Sequence, residues 1–156
     1  MKKKLGAVIS SGILIAAILA VPAFGASPTP TPTPTVACSV VQSAKAIQVI
    51  NAQNKALSLQ DYKTAETYSS AHFRSTVTLA QFKSTIVAHY PYLGKLSSAN
   101  AVACIVVKGF VVIAMNLIDL VGVQHHIIYG LTPIAPKNQV LPNNTGWGID
   151  GVHVSS

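Results

Sequence analysis

The sequence predicts an α+β domain, with helices first and an antiparallel sheet after them, on three observations. Between Ser39 and Tyr90 apolar residues recur at helical spacing, and the segments open on side chains that cap helices. From Ala101 to Val154 they instead gather into four strand-like runs, the first two dominated by Val, Ile and Ala. No helical pattern separates the first three of those runs, so they are expected to pair antiparallel. The expected architecture is three N-terminal helices packed on a curved four-stranded antiparallel sheet, with a hollow between the layers.

The N-terminal segment stands apart. Lys2, Lys3 and Lys4 precede an apolar run from Leu5 to Val21, and Ala23-Phe24-Gly25 places small residues before a cut at Ala26. That is the layout of a secretory signal peptide. The run is also near the shortest length of a spanning helix, so an uncleaved membrane anchor is the alternative for residues 1–25. Either way the domain is expected outside the cytoplasm, because positive charge stays inside. Ala37-Cys38 is not a lipoprotein cut site, because a proline tract parts it from the apolar segment. Residues 26–37 read as a Pro/Thr-rich linker. Pro28 to Thr35 alternates Pro and Thr, which gives either an extended spacer of about 25 Å or a disordered, O-glycosylated start.

Residues 38–156 remain for one domain with one core. The formal net charge is +7, and outside Lys2–Lys4 the basic residues are scattered, with four acids among them: Asp61, Glu66, Asp119 and Asp150. No basic stripe forms, so no nucleic-acid partner is expected.

Val40, Ala44, Ile47, Ile50 and Leu57 trace the first helix, with Ser39 as its N-cap and Asn54 filling a gap in the stripe. Asp61 caps a second helix reaching Ser69, with Tyr62, Ala65 and Tyr68 on one face. Ala71 to Arg74 reads as a turn. Thr78 and Gln81 then form a capping box, and Pro91 stops the third helix at Tyr90. Strands follow at Ala101–Val107, Phe110–Leu120, His125–Ile134 and Gly146–Val154. The second has two apolar faces: Phe110, Val112, Ala114 and Ile118 on one, Val111, Ile113, Met115 and Leu117 on the other. One face meets the helices. The other is expected to meet a second copy, giving a homodimer through the sheet, or else a covering loop.

Leu59-Gln60-Asp61-Tyr62-Lys63-Thr64-Ala65, Thr78-Leu79-Ala80-Gln81-Phe82 up to Tyr90-Pro91-Tyr92, and Gly146-Trp147-Gly148-Ile149 resemble segments of the nuclear-transport-factor-2-like, or cystatin-like cone, superfamily, particularly its bacterial secreted domains of unknown function. The resemblance covers Ser39 to Val154. It implies a cone-shaped cavity between helices and sheet, frequent dimerisation, and relatives that are isomerases, dehydratases, or binding and assembly modules.

Two cysteines in an exported chain invite a disulfide, Cys38 to Cys104, which closes a long loop and contributes about 4 kcal/mol on the chain-entropy model. His125 and His126 point to opposite faces of a strand, and no metal-ligand spacing occurs, so neither metal nor cofactor is expected. No phosphate loop or nucleophile elbow is present. Three functions are weighed. The first is a binding or interaction domain for an unknown small molecule or envelope protein, with a pocket of Asn54, Tyr68, Phe82, Tyr90 and Tyr129. The second is an isomerase- or dehydratase-like enzyme with Asp119 or His126 as base, Asp119 having its pKa raised by burial. The third is a structural dimerisation module of the cell envelope. The membrane is expected to be met only through the N-terminal segment.

Overall fold

Ser39 opens the first helix as the sequence predicts. Its hydroxyl accepts the Gln42 N–H and the Gln42 side chain accepts the Ser39 N–H, so α1 runs Val40–Ser58. The computed structural model describes residues 35–154; the expected signal segment and most of the Pro/Thr linker lie outside them. Asp61 accepts the Thr64 N–H and starts α2, Tyr62–Thr67. The Thr78–Gln81 capping box starts α4, Leu79–His89, and Pro91 turns the chain into a 3-10 segment, Pro91–Gly94.

The stretch expected to be a turn is a helix, α3, Ala71–Thr76. Ser70 caps it by accepting the Phe73 N–H, while its own N–H donates to Ile149 O at 2.7 Å. A cap held in place from a distant strand makes a six-residue helix that local periodicity does not announce.

Five strands, not four, form one sheet in the order β1 (Val36–Ala37), β2 (Leu96–Val107), β3 (Phe110–Asp119), β4 (Gln124–Pro133) and β5 (Trp147–Val154), each antiparallel to its neighbour. The added strand, β1, consists of the last two residues of the expected linker, and it precedes the helices. A 3-10 turn at Pro136–Asn138 follows β4, so the helical segments are not all N-terminal. β2 also begins five residues before its expected start. Leu96-Ser97-Ser98-Ala99-Asn100 lacks the β-branched run of a strand, yet its backbone pairs with β3 as far as Asp119. There the partner strand, not composition, sets the conformation.

The core lies between α1 and one face of the sheet. Val111, Ile113, Met115 and Leu117 of β3 meet Ile127, Tyr129 and Leu131 of β4, under Ala46, Val49, Ile50 and Leu57 of α1. Burial of α1 starts only at Ala46, whereas Val40 is 86% exposed. Periodicity fixes which face of a helix is apolar but not how much of its length is covered.

Cys38 and Cys104 are bonded, with their Cα atoms 5.4 Å apart. The bond ties the segment ahead of α1 to β2 and is consistent with an oxidising, extracytoplasmic compartment. Gly148 fixes the opposite side. A Cβ there would stand 2.7 Å from Ser70 Cα and 2.8 Å from Ser70 N. Its absence lets the 68–70 segment reach β5, where Ile149 N donates to Tyr68 O at 2.9 Å. No helix of the described residues is long and apolar enough to cross a membrane.

Candidate functional site

Two features mark the domain's interior. The first is a recess of about 340 Å³ between α4 and β5. Phe73, Phe82, Ile86, Tyr90, Leu93 and Val152 give it apolar walls, and the buried Gln53 and Ser69 supply polar atoms at its base. Gln53 Nε2 donates to Ala65 O at 3.2 Å and contacts Ser69 Oγ at 3.4 Å, so α1 holds this pair in place. At the rim, Ser70 Oγ donates to Asp150 Oδ1, and the Tyr90 hydroxyl donates to Val152 O at 3.2 Å. An apolar hollow with a few fixed polar groups is the usual form of a small-molecule pocket.

The second feature adjoins the recess through α1 and the β4–β5 ladder. Asn54 follows Gln53 on α1, and Tyr129 is the cross-strand partner of Val152. Asn54 is 7% exposed and Tyr129 0%. Asn54 Nδ2, Asn54 Oδ1, Tyr129 Oη and Tyr92 Oη are all buried without a hydrogen-bond partner among the described residues. Burial pushes the Tyr129 hydroxyl well above its ordinary pKa, an effect the nearby Asn54 amide partly opposes. Asn54 thus sits near enough to act on the phenol yet makes no bond within 3.5 Å, a spacing at which polar groups are commonly bridged. Four unpaired polar atoms in one interior are unusual, since each costs about 1–3 kcal/mol.

Of the five residues expected to line a pocket, Phe82 and Tyr90 come together in the recess. Asn54 and Tyr129 are not among the residues lining it. Asn54 also borders a second, shallower hollow on the other side of Leu93, with Asn51, Lys55 and Ser97. Tyr68 is half-buried beside β5 and is not among the residues lining the recess. Sequence reasoning passed over Gln53, Ser69, Tyr92 and Asp150. Gln53 was within reach, because it stands three residues after Ile50 on the buried stripe.

The two expected catalytic candidates are placed apart. Asp119 extends the inner apolar row of β3, but its pKa is lowered, not raised. His125 hydrogen-bonds to its Oδ2 at 3.1 Å, and the Val123 and Val121 amides donate to its Oδ1 at 2.9 and 3.0 Å. Its carboxylate holds the β3–β4 turn. His126 is on the outer face, where its Nδ1 lies 2.7 Å from Asn116 Oδ1 across the ladder. The described residues contain no cluster of three or more His, Cys, Asp or Glu placed to hold a metal.

Residues 40–156 match the model of a family described as a domain of unknown function (DUF4864). No curated protein and no solved structure matches the chain.

Proposed function

The protein belongs to that family, and on this premise we propose that it is an exported domain that binds a small, largely apolar molecule carrying one neutral polar group. The recess takes the apolar body. Asn54, Tyr92 and Tyr129 recognise the polar end once Leu93 and Val152 shift aside. The observation that carries this reading is the set of four partnerless polar atoms beside an apolar recess, to which Asn54 is joined through Gln53 and Tyr129 through Val152. An amide and two neutral phenols both donate and accept, so they suit a hydroxyl or carbonyl and disfavour a charged group. A helix laid over an antiparallel sheet with polar side chains between them also fits the nuclear-transport-factor-2-like relationship.

The test is thermal unfolding with a panel of cyclic alcohols and ketones, each beside its hydrocarbon parent. A binder raises the melting temperature as its concentration passes Kd. Ile86→Trp fills the recess and abolishes that response. Equal responses to the hydrocarbons, or a response that survives Ile86→Trp, refutes the assignment.

A second reading, a dimerising module, is favoured by the outer sheet face. Val107, Phe110 and Val112 border a hollow of about 380 Å³ there, and Phe110 is exposed. Two such faces apposed would bury the second apolar row of β3. Light scattering decides it: the dimer mass should fall to monomer in Phe110→Lys, and a monomeric parent ends the reading.

A further inference from the structure

The β3–β4 turn presents Leu120, Val121 and Val123 to solvent at 70, 84 and 51% exposure. Three aliphatic side chains within four residues at a hairpin tip contribute nothing to the core, and a solvent loop is ordinarily polar. What distinguishes this tip is its backbone. Asp119 N donates to Val123 O, Leu120 N to Lys95 O and Gly122 N to Asp119 O, at 2.8–3.0 Å. Val121 N and Val123 N donate to the Asp119 carboxylate. Every N–H from Asp119 to Val123 is therefore bonded inside the domain, so the tip can leave water without stranding a donor.

The surroundings point to one kind of partner. Pro91, Tyr92 and Lys95 border a shallow groove beside Leu120 and Val121. The Tyr92 ring stacks on His125 with centroids 3.8 Å apart. A lysine behind an aliphatic tip is a residue type that sits at a bilayer's headgroup level, while Tyr92, its hydroxyl buried, braces the turn through His125. The one carboxylate in the groove, Asp119, is already taken by His125 and two amides. Basic residues also outnumber acidic ones across the chain, which carries +7.

We propose that the Leu120–Val123 tip is a membrane-docking element that inserts its aliphatic side chains into the interface of an anionic bilayer, with Lys95 meeting lipid phosphates. This surface shares no lining residue with the recess, Tyr92 reaching the polar cluster only through its buried hydroxyl, and its test does not depend on any ligand.

The full chain is used, and the readout is confined to the tip so that the N-terminal apolar segment does not contribute. Trp147, the only tryptophan, is replaced by Phe, and Val121→Trp is introduced. Val102→Trp, at an exposed position in β2, is the control. Vesicles contain phosphatidylcholine alone or with phosphatidylglycerol, both brominated along the acyl chain. The expected result is quenching at position 121 but not at 102, stronger with phosphatidylglycerol. Lys95→Glu should lower the tip's affinity for the anionic vesicles about fivefold, and Leu120→Ser about tenfold. Absence of quenching at 121, as for a tip that docks on a protein, overturns the proposal. So does equal quenching at both positions.

Discussion

Tyr129→Phe should make this protein more stable, which is the reverse of what a buried tyrosine usually contributes. The hydroxyl is fully buried and has no partner within hydrogen-bond distance, whereas in the unfolded chain it is hydrated. Folding therefore costs its desolvation, about 1–3 kcal/mol. Removing one oxygen opens a void of only about 10 Å³, and at about 24 cal/mol per Å³ the loss is about 0.2 kcal/mol. The net gain is then about 1–2 kcal/mol. Urea unfolding checks it: the midpoint should rise by about 1 M at unchanged slope.

Alkaline pH gives an independent signature of the same hydroxyl. Burial raises its folded pKa, so above about pH 10 the unfolded chain loses a proton that the fold keeps. Stability is thus fully present below the unfolded value and falls as pH rises past it. Tyr129→Phe should flatten that fall. A variant destabilised by more than about 1 kcal/mol would mean the hydroxyl is strongly paired in the folded protein, and the argument for recognition at this position would fail.

Other substitutions probe the frame around the site. Gly148→Ala pushes a methyl into the Ser70 backbone and threatens the two bonds between segment 68–70 and Ile149; a loss of about 2–4 kcal/mol in denaturant unfolding is expected, and a neutral result refutes the close approach. Replacing both Cys38 and Cys104 by Ala removes a crosslink spanning 66 positions and should cost about 4 kcal/mol, read by calorimetry. Asp119 has a folded pKa lowered by His125 and the turn amides. Its contribution is present above the unfolded value of about 3.9 and is lost as pH falls through the folded one. The melting-temperature gap between the parent and Asp119→Asn should therefore shrink in acid; a gap independent of pH refutes the pairing.

What the chain discloses about itself follows how local each signal is. Ser39, Asp61 and Thr78–Gln81 are caps completed within three residues, and each caps its helix as the sequence predicts. Strand β3 is dense enough in Val and Ile to be read alone, and β4 is read from Ile127, Ile128, Tyr129 and Leu131 after the turn at Gly122. The missed parts depend on partners far away in sequence. Ser70 caps α3 only because Ile149 holds it, β1 exists only against Ile105 and Val106, and Leu96–Asn100 is a strand only beside β3. The site divides in the same way. Phe82 in the first turn of α4 and Tyr90 at its C-cap belong to one helix and are legible together. Tyr92 looked like part of a helix stop, and its hydroxyl counts only because α1 and β4 bring Asn54 and Tyr129 near it.

That division bears on why the interior keeps polar groups where Leu and Phe would pack. Asn54 and the two phenols together withhold several kcal/mol from a domain of modest size. The Cys38–Cys104 bond supplies about the same amount from the other end of α1, so crosslink and polar cluster are of comparable size and opposite sign. If the bond is what lets the fold tolerate the cluster, two deletions should compensate. The Cys38→Ala, Cys104→Ala chain is expected to be marginal, and adding Tyr129→Phe with Asn54→Leu should restore about 2–4 kcal/mol of its stability. The same pair placed in the bonded protein should give the same increment, because the two sites share no partner, and should abolish the response to cyclic alcohols and ketones. A restored protein that still responds to those compounds would separate the polar cluster from recognition altogether.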